Sequence, residues 1–233
     1  MKIALLGYGK MGRTIERLAI DRGHEIVLKV DKGDKDFAID VADVAIDFSL
    51  PEAAFGNISM CFENKVPVVS GTTGWLKDYE KAVELCTSKQ GAFIYASNFS
   101  LGVNLFFELN KQLAQMMQSF NEYKVGMEEI HHTKKLDAPS GTAITLAEGI
   151  IEHTKLTGWQ LGEAKENEIP IVAKRIEDVP GTHSIFYESI VDQIEIKHTA
   201  YNRDGFALGA VIAAEWLVGK TGVYGMKDVL NLG

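Results

Sequence analysis

Residues 2–12 read Lys2-Ile3-Ala4-Leu5-Leu6-Gly7-Tyr8-Gly9-Lys10-Met11-Gly12. Ile3–Leu6 is an unbroken apolar run of strand length. A glycine-rich turn follows, and then Met11, Ile15, Leu18 and Ala19 recur at helical spacing. The next run, Glu25–Val30, is apolar and β-branched and ends at Asp31. This is a βαβ unit whose turn fits GxGxxG, with Asp31 nineteen residues beyond Gly12. In that context the pattern predicts a dinucleotide site. Gly7 permits the tight turn, Gly9 lets a pyrophosphate approach the backbone, and Gly12 lets the helix pack on the strand. The first N–H groups of the helix then face the phosphates. Asp31 can accept hydrogen bonds from ribose hydroxyls, which favours NADH. Lys32, Lys10 or Arg13 could instead pair with the extra phosphate of NADPH. The reading is therefore a site for NADH or NADPH.

The alternation continues outward from this unit. Val44–Phe48, Val66–Val69 and Ala92–Ala96 read as strands. Pro51–Asn64 and Leu76–Ser88 read as helices, with Ser49 as a possible N-cap of the first. Strands apolar on both faces and separated by helices describe a parallel sheet covered on both sides, a Rossmann-like α/β domain. The polar stretch Asp31–Asp43 reads as a solvated connection.

After about residue 100 the pattern changes. Leu101–Gln118 and Thr142–Thr154 read as helices and Tyr123–His132 as a strand carrying polar residues. Ile169–Ile176, His183–Ile190 and Gln193–His198 alternate in part, as in an antiparallel, half-exposed sheet. Phe206–Val218 is a last apolar helix. The expected organisation is a nucleotide domain, residues 1–100 and 204–233, and an inserted α+β domain, residues 101–203, with a mixed or antiparallel open sheet.

Composition excludes several classes. The 233 residues carry 24 Lys+Arg against 32 Asp+Glu, a net charge of −8, which repels nucleic-acid phosphates. Cys61 and Cys86 lack CxxC spacing and read as free buried thiols of a reducing cytosol. The N-terminus turns glycine-rich too early for a signal peptide, and the longest apolar run, near Phe206–Ala214, is broken by Glu215. A soluble cytoplasmic protein without membrane or nucleic-acid partners is expected.

Two further turns lie at the carboxyl ends of expected strands, where open α/β sheets bind ligands. They are Gly71-Thr72-Thr73-Gly74 and Ala96-Ser97-Asn98-Phe99-Ser100. Small hydroxyl residues and free amides there suit a carboxamide such as nicotinamide, although an ordinary turn reads equally well. The densest chemistry is residues 129–143, EIHHTKKLDAPSGTA. It places two histidines and two lysines within five residues, before Ser140-Gly141-Thr142 opens a helix. A helix start with a hydroxyl and open amides, beside basic side chains, is an anion site suited to a carboxylate substrate. No third ligand shows metal-ligand spacing, so no metal is expected.

The run EIHHTKKLDAPSGTA resembles the signature of the dihydrodipicolinate reductases. The resemblance is supported along the chain by GYGKMG, DFSLPEA, SGTTGW, ASNFSLGVN, GTHSIFY and the segment from Phe206 to Leu230. It implies NADH- or NADPH-dependent reduction of a cyclic dicarboxylic imine on the diaminopimelate route to lysine. It also implies a homotetramer built through the second domain. On the matching positions it implies His131 as proton donor or acceptor and Lys135 as acid and substrate contact. His132, Ser140, Gly141 and Thr142 become substrate contacts, with Thr73 close by. Gly71, Thr73, Asn98 and Phe99 become nicotinamide contacts, beside Ser97 in the same turn. Gly7, Met11 and Gly12 become the pyrophosphate turn, and Asp31 the ribose acid. The family usually has Arg where this chain has Lys10, and longer members carry an extra loop between Asp31 and Val44. Both departures bear on NADPH preference. Another two-domain nicotinamide oxidoreductase would share GxGxxG but lack HHxxK followed by DAPSGT. A nicotinamide-sensing regulator would carry a basic DNA-binding segment, which this acidic chain lacks.

Overall fold

The computed structural model describes residues 1–34 and 37–232. It divides into two compact units, Met1–Leu101 with Asp204–Gly233, and Gly102–Arg203.

The first unit opens with β1 (Lys2–Leu6), α1 (Lys10–Asp21) and β2 (Glu25–Val30). It continues with β3 (Val44–Asp47), α2 (Pro51–Glu63), β4 (Val68–Ser70), α3 (Tyr79–Lys89) and β5 (Ala92–Tyr95). The chain returns through α6 (Asp204–Leu217), β11 (Gly222–Tyr224) and α7 (Met226–Leu230). The sheet is parallel in the order β11-β5-β4-β3-β1-β2. Strand alternation divides its core in two. Ile3, Leu5, Val44 and Ile46 pack with Ile15 and Ala19 of α1 and the alanines of α6. Ala4, Leu6, Val68 and Phe93 pack on the other side with Ile58, Phe62, Ala82 and Cys86 of α2 and α3. Both faces are dry, which is why these strands read as continuous apolar runs. Cys61 and Cys86 are free and buried, and burial pushes the Cys61 thiol up.

Three local expectations need correction. Ser49 does not cap α2. Leu50 holds the N-cap position with Pro51 in the first turn, and the Ser49 hydroxyl donates to Asp47 instead. The hydroxyl is turned towards the buried Asp47 carboxyl, away from the open amides of the helix start. The connection over Asp31–Asp43 is not wholly solvated, because a short 3₁₀ turn at Ile39–Val41 buries Ile39. Residues 35 and 36 of that connection lie outside the described residues. Two short elements, β11 and α7, were not expected, being too brief for periodicity to show.

The second unit contains α4, whose full span is Leu101–Met117, and then β6 (Lys124–His131) and α5 (Gly141–Ile151). Four strands follow: β7 (Gly158–Leu161), β8 (Glu168–Arg175), β9 (Gly181–Glu188) and β10 (Gln193–Ala200). The sheet order is β10-β9-β6-β8-β7. It is mixed: β6 pairs parallel to β8 and β7 to β8, whereas β9 runs antiparallel to both β6 and β10. The antiparallel character expected over the last three strands therefore holds only from β9 to β10. Met127, Ile169, Ile171, Ile185 and Tyr187 pack against Phe106 and Leu113 of α4 and Leu146 and Ile150 of α5. By alternation the opposite face carries Val172, Lys174 and Glu128, the last two ion-paired.

Candidate active site

The turn after β1 has the geometry of a phosphate cradle. Gly7 has φ +95°, and a Cβ there would lie 2.1 Å from the Phe48 carbonyl oxygen. A Cβ on Gly12 would lie 2.3 Å from the Gly7 carbonyl oxygen, so α1 approaches the turn too closely for any side chain. Gly9 is extended at the N-cap, with no side-chain cap and no acidic residue in the first turn. The amides of Lys10, Met11 and Gly12 thus start a helix with no internal acceptor, and nothing within 4 Å would meet a Cβ on Gly9. Lys10 is exposed there. Tyr8 bonds Glu16, which also pairs with Lys29, and the Arg13 and Lys29 cations lie 5.5 and 4.9 Å from the Tyr8 ring.

Asp31 follows the last residue of β2 and is exposed, one carboxylate oxygen accepting from the Lys32 amide at 2.8 Å. The Lys32 side chain is exposed beside it. Gly71 and Thr73 stand in the loop after β4, where Thr73 is exposed and Thr72 buried. The Thr72 hydroxyl donates to Asp47 at 2.8 Å. After β5, Ser97 is exposed, and the Asn98 side-chain oxygen accepts from the Ser100 amide at 2.9 Å. Phe99 is only 2% exposed, its ring 5.9 Å from that of Phe48 and its carbonyl packed against Gly209, so it backs the turn rather than facing a ligand.

In the second unit the centre of the site is Glu129, which is fully buried. One oxygen accepts from the Ser140 amide at 3.0 Å and the other from Arg175 Nη2 at 3.2 Å. The first also lies 3.5 Å from His131 Nδ1 and 3.7 Å from His183 Nε2. His183 meets the Ser140 hydroxyl at 3.0 Å, and the rings of His131 and His183 stand edge-to-face at 5.0 Å. Against burial, the close approach of His183 and the bond from Ser140 hold the Glu129 carboxyl down at about 2. Burial, with His183 beside it, holds His131 down at about 4.

Ser140 caps α5, its hydroxyl accepting from the Ala143 amide at 3.2 Å. The Gly141 and Thr142 amides are left as the open first turn of that helix. Lys135 Nζ donates to both oxygens of Asp137, at 2.9 and 2.8 Å. Arg175 fastens the same loop through the Asp137 carbonyl at 2.7 Å. His132 is half-buried, and its Nδ1 has no hydrogen-bond partner among the described residues. A cavity of about 570 Å³ bordered by Met117, Lys124 and Tyr187 lies at the opposite end of β6 from His131 and is separate from this cluster.

Sequence reasoning missed Glu129 as the hub, and it missed Arg175, His183 and Asp47. Register supplies the first two neighbours: Glu129 pairs with His183 across β6 and β9, and His131 with Arg175 across β6 and β8. The expectation that no third ligand has metal-ligand spacing also needs correction. Glu129, His131 and His183 bring ligand atoms within 4.8 Å of one another. Arg175 already neutralises that carboxylate, so the chemistry of the cluster is that of a hydrogen-bonded charge pair.

A glycine turn ending a parallel strand and a separate anion-binding helix start define a class, the two-unit pyridine-nucleotide oxidoreductases. Sequence profiles then narrow the class. The profile for the dihydrodipicolinate reductase N-terminus matches residues 1–99, and that for its C-terminus matches residues 102–230. The chain belongs to the dihydrodipicolinate reductase family and is an oxidoreductase that uses NAD(P)H. It is 63% identical to the 4-hydroxy-tetrahydrodipicolinate reductase of Christiangramia forsetii, over 99% of this chain and 98% of that one. The enzyme of the same name from Methanoregula boonei is 37% identical over 82% of this chain and 75% of that one. Among solved structures, a dipicolinate-bound dihydrodipicolinate reductase from Paenisporosarcina sp. TG-14 shares the fold. Its TM-score is 0.77 at 22% identity, covering 97% of each chain.

Proposed function

We propose that the protein reduces the dehydrated form of 4-hydroxy-tetrahydrodipicolinate to tetrahydrodipicolinate with NADH or NADPH, in lysine and diaminopimelate biosynthesis. The observation that carries this reading is the buried Glu129, paired with Arg175 and bonded to Ser140 at the open start of helix α5. That arrangement suits a small dicarboxylate.

The first unit fits a pyridine dinucleotide. Gly7, Gly9, Met11 and Gly12 offer backbone to the pyrophosphate, and Asp31 offers acceptors to the ribose. Lys10 and Lys32 are exposed cations that would meet an extra phosphate. Gly71, Thr73, Ser97 and Asn98 would hold the carboxamide end, with Phe99 packed behind them. The reduced nicotinamide supplies the hydride when bound.

The second unit binds and protonates. The amides of Gly141 and Thr142 and the Ser140 hydroxyl hold one substrate carboxylate, with His132 as a further contact. Lys135 meets an incoming carboxylate by exchanging its Asp137 partner for it. His131 is held neutral at neutral pH. It therefore serves as a neutral hydrogen-bonding group, and the Lys135 ammonium is the acid. General-acid protonation of this kind contributes roughly 10²–10⁴-fold. The protein works in the cytoplasm as a homotetramer, without a nucleic-acid partner.

The test is oxidation of NADH and NADPH in parallel, with substrate generated in place from pyruvate and aspartate semialdehyde. Both nucleotides are expected to be consumed. Lys135→Ala and His131→Ala should each lose much of kcat while folding normally, Lys135→Ala by roughly 10²-fold or more. Near-normal turnover in both variants would overturn the assignment.

A further inference from the structure

Asp47 closes β3, is fully buried, and plays no part in the chemistry above. One of its carboxylate oxygens accepts from the Ser49 hydroxyl at 2.6 Å and the Asn57 amide at 2.9 Å. The other accepts from the Ser70 hydroxyl at 2.9 Å and the Thr72 hydroxyl at 2.8 Å. Three hydroxyls and one side-chain amide thus surround the carboxyl and use all of its acceptor positions. Burial pushes the carboxyl up, and these four bonds oppose it.

The donors come from four separate segments: the turn after β3, helix α2, the end of β4 and the loop beyond β4. Two backbone links tighten the same knot. The Thr72 hydroxyl oxygen accepts from the Ser49 amide at 2.8 Å, and the Asp47 carbonyl accepts from the Gly71 amide at 2.9 Å. A Cβ on Gly71 would sit 2.3 Å from the Phe48 ring, so that backbone lies directly on the residue following Asp47. A buried carboxylate is expensive, and a parallel sheet this apolar does not need one for stability. What the carboxyl does is hold one loop, the one bearing Gly71 and Thr73, against the neighbouring strand end.

We propose that Asp47 is the positioning residue for the nicotinamide end of the cofactor site. Its carboxylate fixes Ser70 and Thr72 on either side of Gly71, whose amide bonds the Asp47 carbonyl, so that the loop presents a preformed surface to the carboxamide ring. The adenosine and pyrophosphate end is held elsewhere, at Gly7–Gly12 and Asp31. The inference rests on the reductase reading for where the nicotinamide lies.

Binding of two probes by calorimetry separates the two ends. NADH spans both, whereas ADP-ribose occupies only the adenosine–pyrophosphate end. In Asp47→Asn and Thr72→Val, NADH affinity is expected to fall roughly tenfold, one hydrogen bond's worth, with ADP-ribose within about twofold of wild type. Turnover of the same variants should show a lower kcat with the imine KM unchanged. Thr72→Ser keeps the hydroxyl and is expected to restore NADH binding. Thr72→Val is nearly isosteric, so it carries the test if Asp47→Asn fails to fold. Equal weakening of both probes, or wild-type NADH affinity in Thr72→Val, would overturn the proposal. If the wild-type protein bound NADH but reduced no imine, the reductase reading would fail, while the comparison of probes would still judge Asp47.

Discussion

At the scale of single residues, the buried cluster of the second unit is organised around the Glu129 charge. It anchors Ser140, Arg175 and, across the strands, His183. Glu129→Gln keeps the shape but removes the charge that Arg175 faces. Breaking one side of a buried pair costs about 3 kcal/mol. The variant should therefore melt well below the wild type in thermal denaturation, and an unchanged melting point would show that Glu129 is not the hub. The same cluster sets a pH dependence. His131 is held down to about 4 from an ordinary value of 6.5. The unfolded chain thus binds more protons than the folded one between those values, and stability falls as pH falls through that window. Glu129, held at about 2 against an ordinary 4.5, adds a loss of the same sign at lower pH. His198 is lowered by burial and by His183, so part of the slope has a second source. In melting curves from pH 7 to 5, His131→Gln should show a shallower decline than wild type but not a flat one. A slope equal to wild type would contradict the buried neutral imidazole. None of this was legible in the sequence beyond the presence of Glu129 and the two adjacent histidines, because Arg175 and His183 reach the cluster only through strand register.

Among the elements, the turn between β1 and α1 was read most fully in advance, because glycine spacing and backbone geometry are local. The Gly12 position shows what the spacing encodes. A methyl group there meets the Gly7 carbonyl oxygen at 2.3 Å, and both partners are backbone. Gly12→Ala must push α1 away from the turn and misdirect the amides that would face a pyrophosphate. NADH and ADP-ribose should both weaken, by roughly tenfold or more, with the second unit's fold untouched. Equal affinities for mutant and wild type would remove the turn from the cofactor site. Asp31→Ala tests the ribose contact by a different readout. It should lower the preference for NADH over NADPH by roughly tenfold. The start of α2 was misread for the opposite reason. Ser49 has the composition of a cap, but Asp47, two residues earlier, takes its hydroxyl. A buried acceptor overrides the local rule, and nothing in a sequence window shows that Asp47 is buried.

For the whole molecule, the apolar pattern of α6 made a late return to the nucleotide half expected. The structure gives the physical reason for that pattern: Ala207, Ala210, Val211, Ala213 and Ala214 pack on the same sheet face as Ile3, Leu5 and Ile46. The sheet of the second unit was harder to read, because one strand, β6, pairs parallel on one side and antiparallel on the other. Its helices cover only one face, and that asymmetry bears on assembly. The open face carries Val172, 43% exposed, beside the Glu128–Lys174 pair. A face of mixed apolar and paired charged side chains suits self-association better than it suits water alone. If the homotetramer forms through this face, light scattering should give four times the 25.7 kDa chain mass. Val172→Glu adds a charge beside Glu128 without entering the helix-covered core. It should lower the assembled mass while far-UV circular dichroism and NADH binding remain those of the wild type. A tetramer that survives Val172→Glu would place the subunit contact on some other surface. A monomeric wild type would leave the open sheet face without a partner.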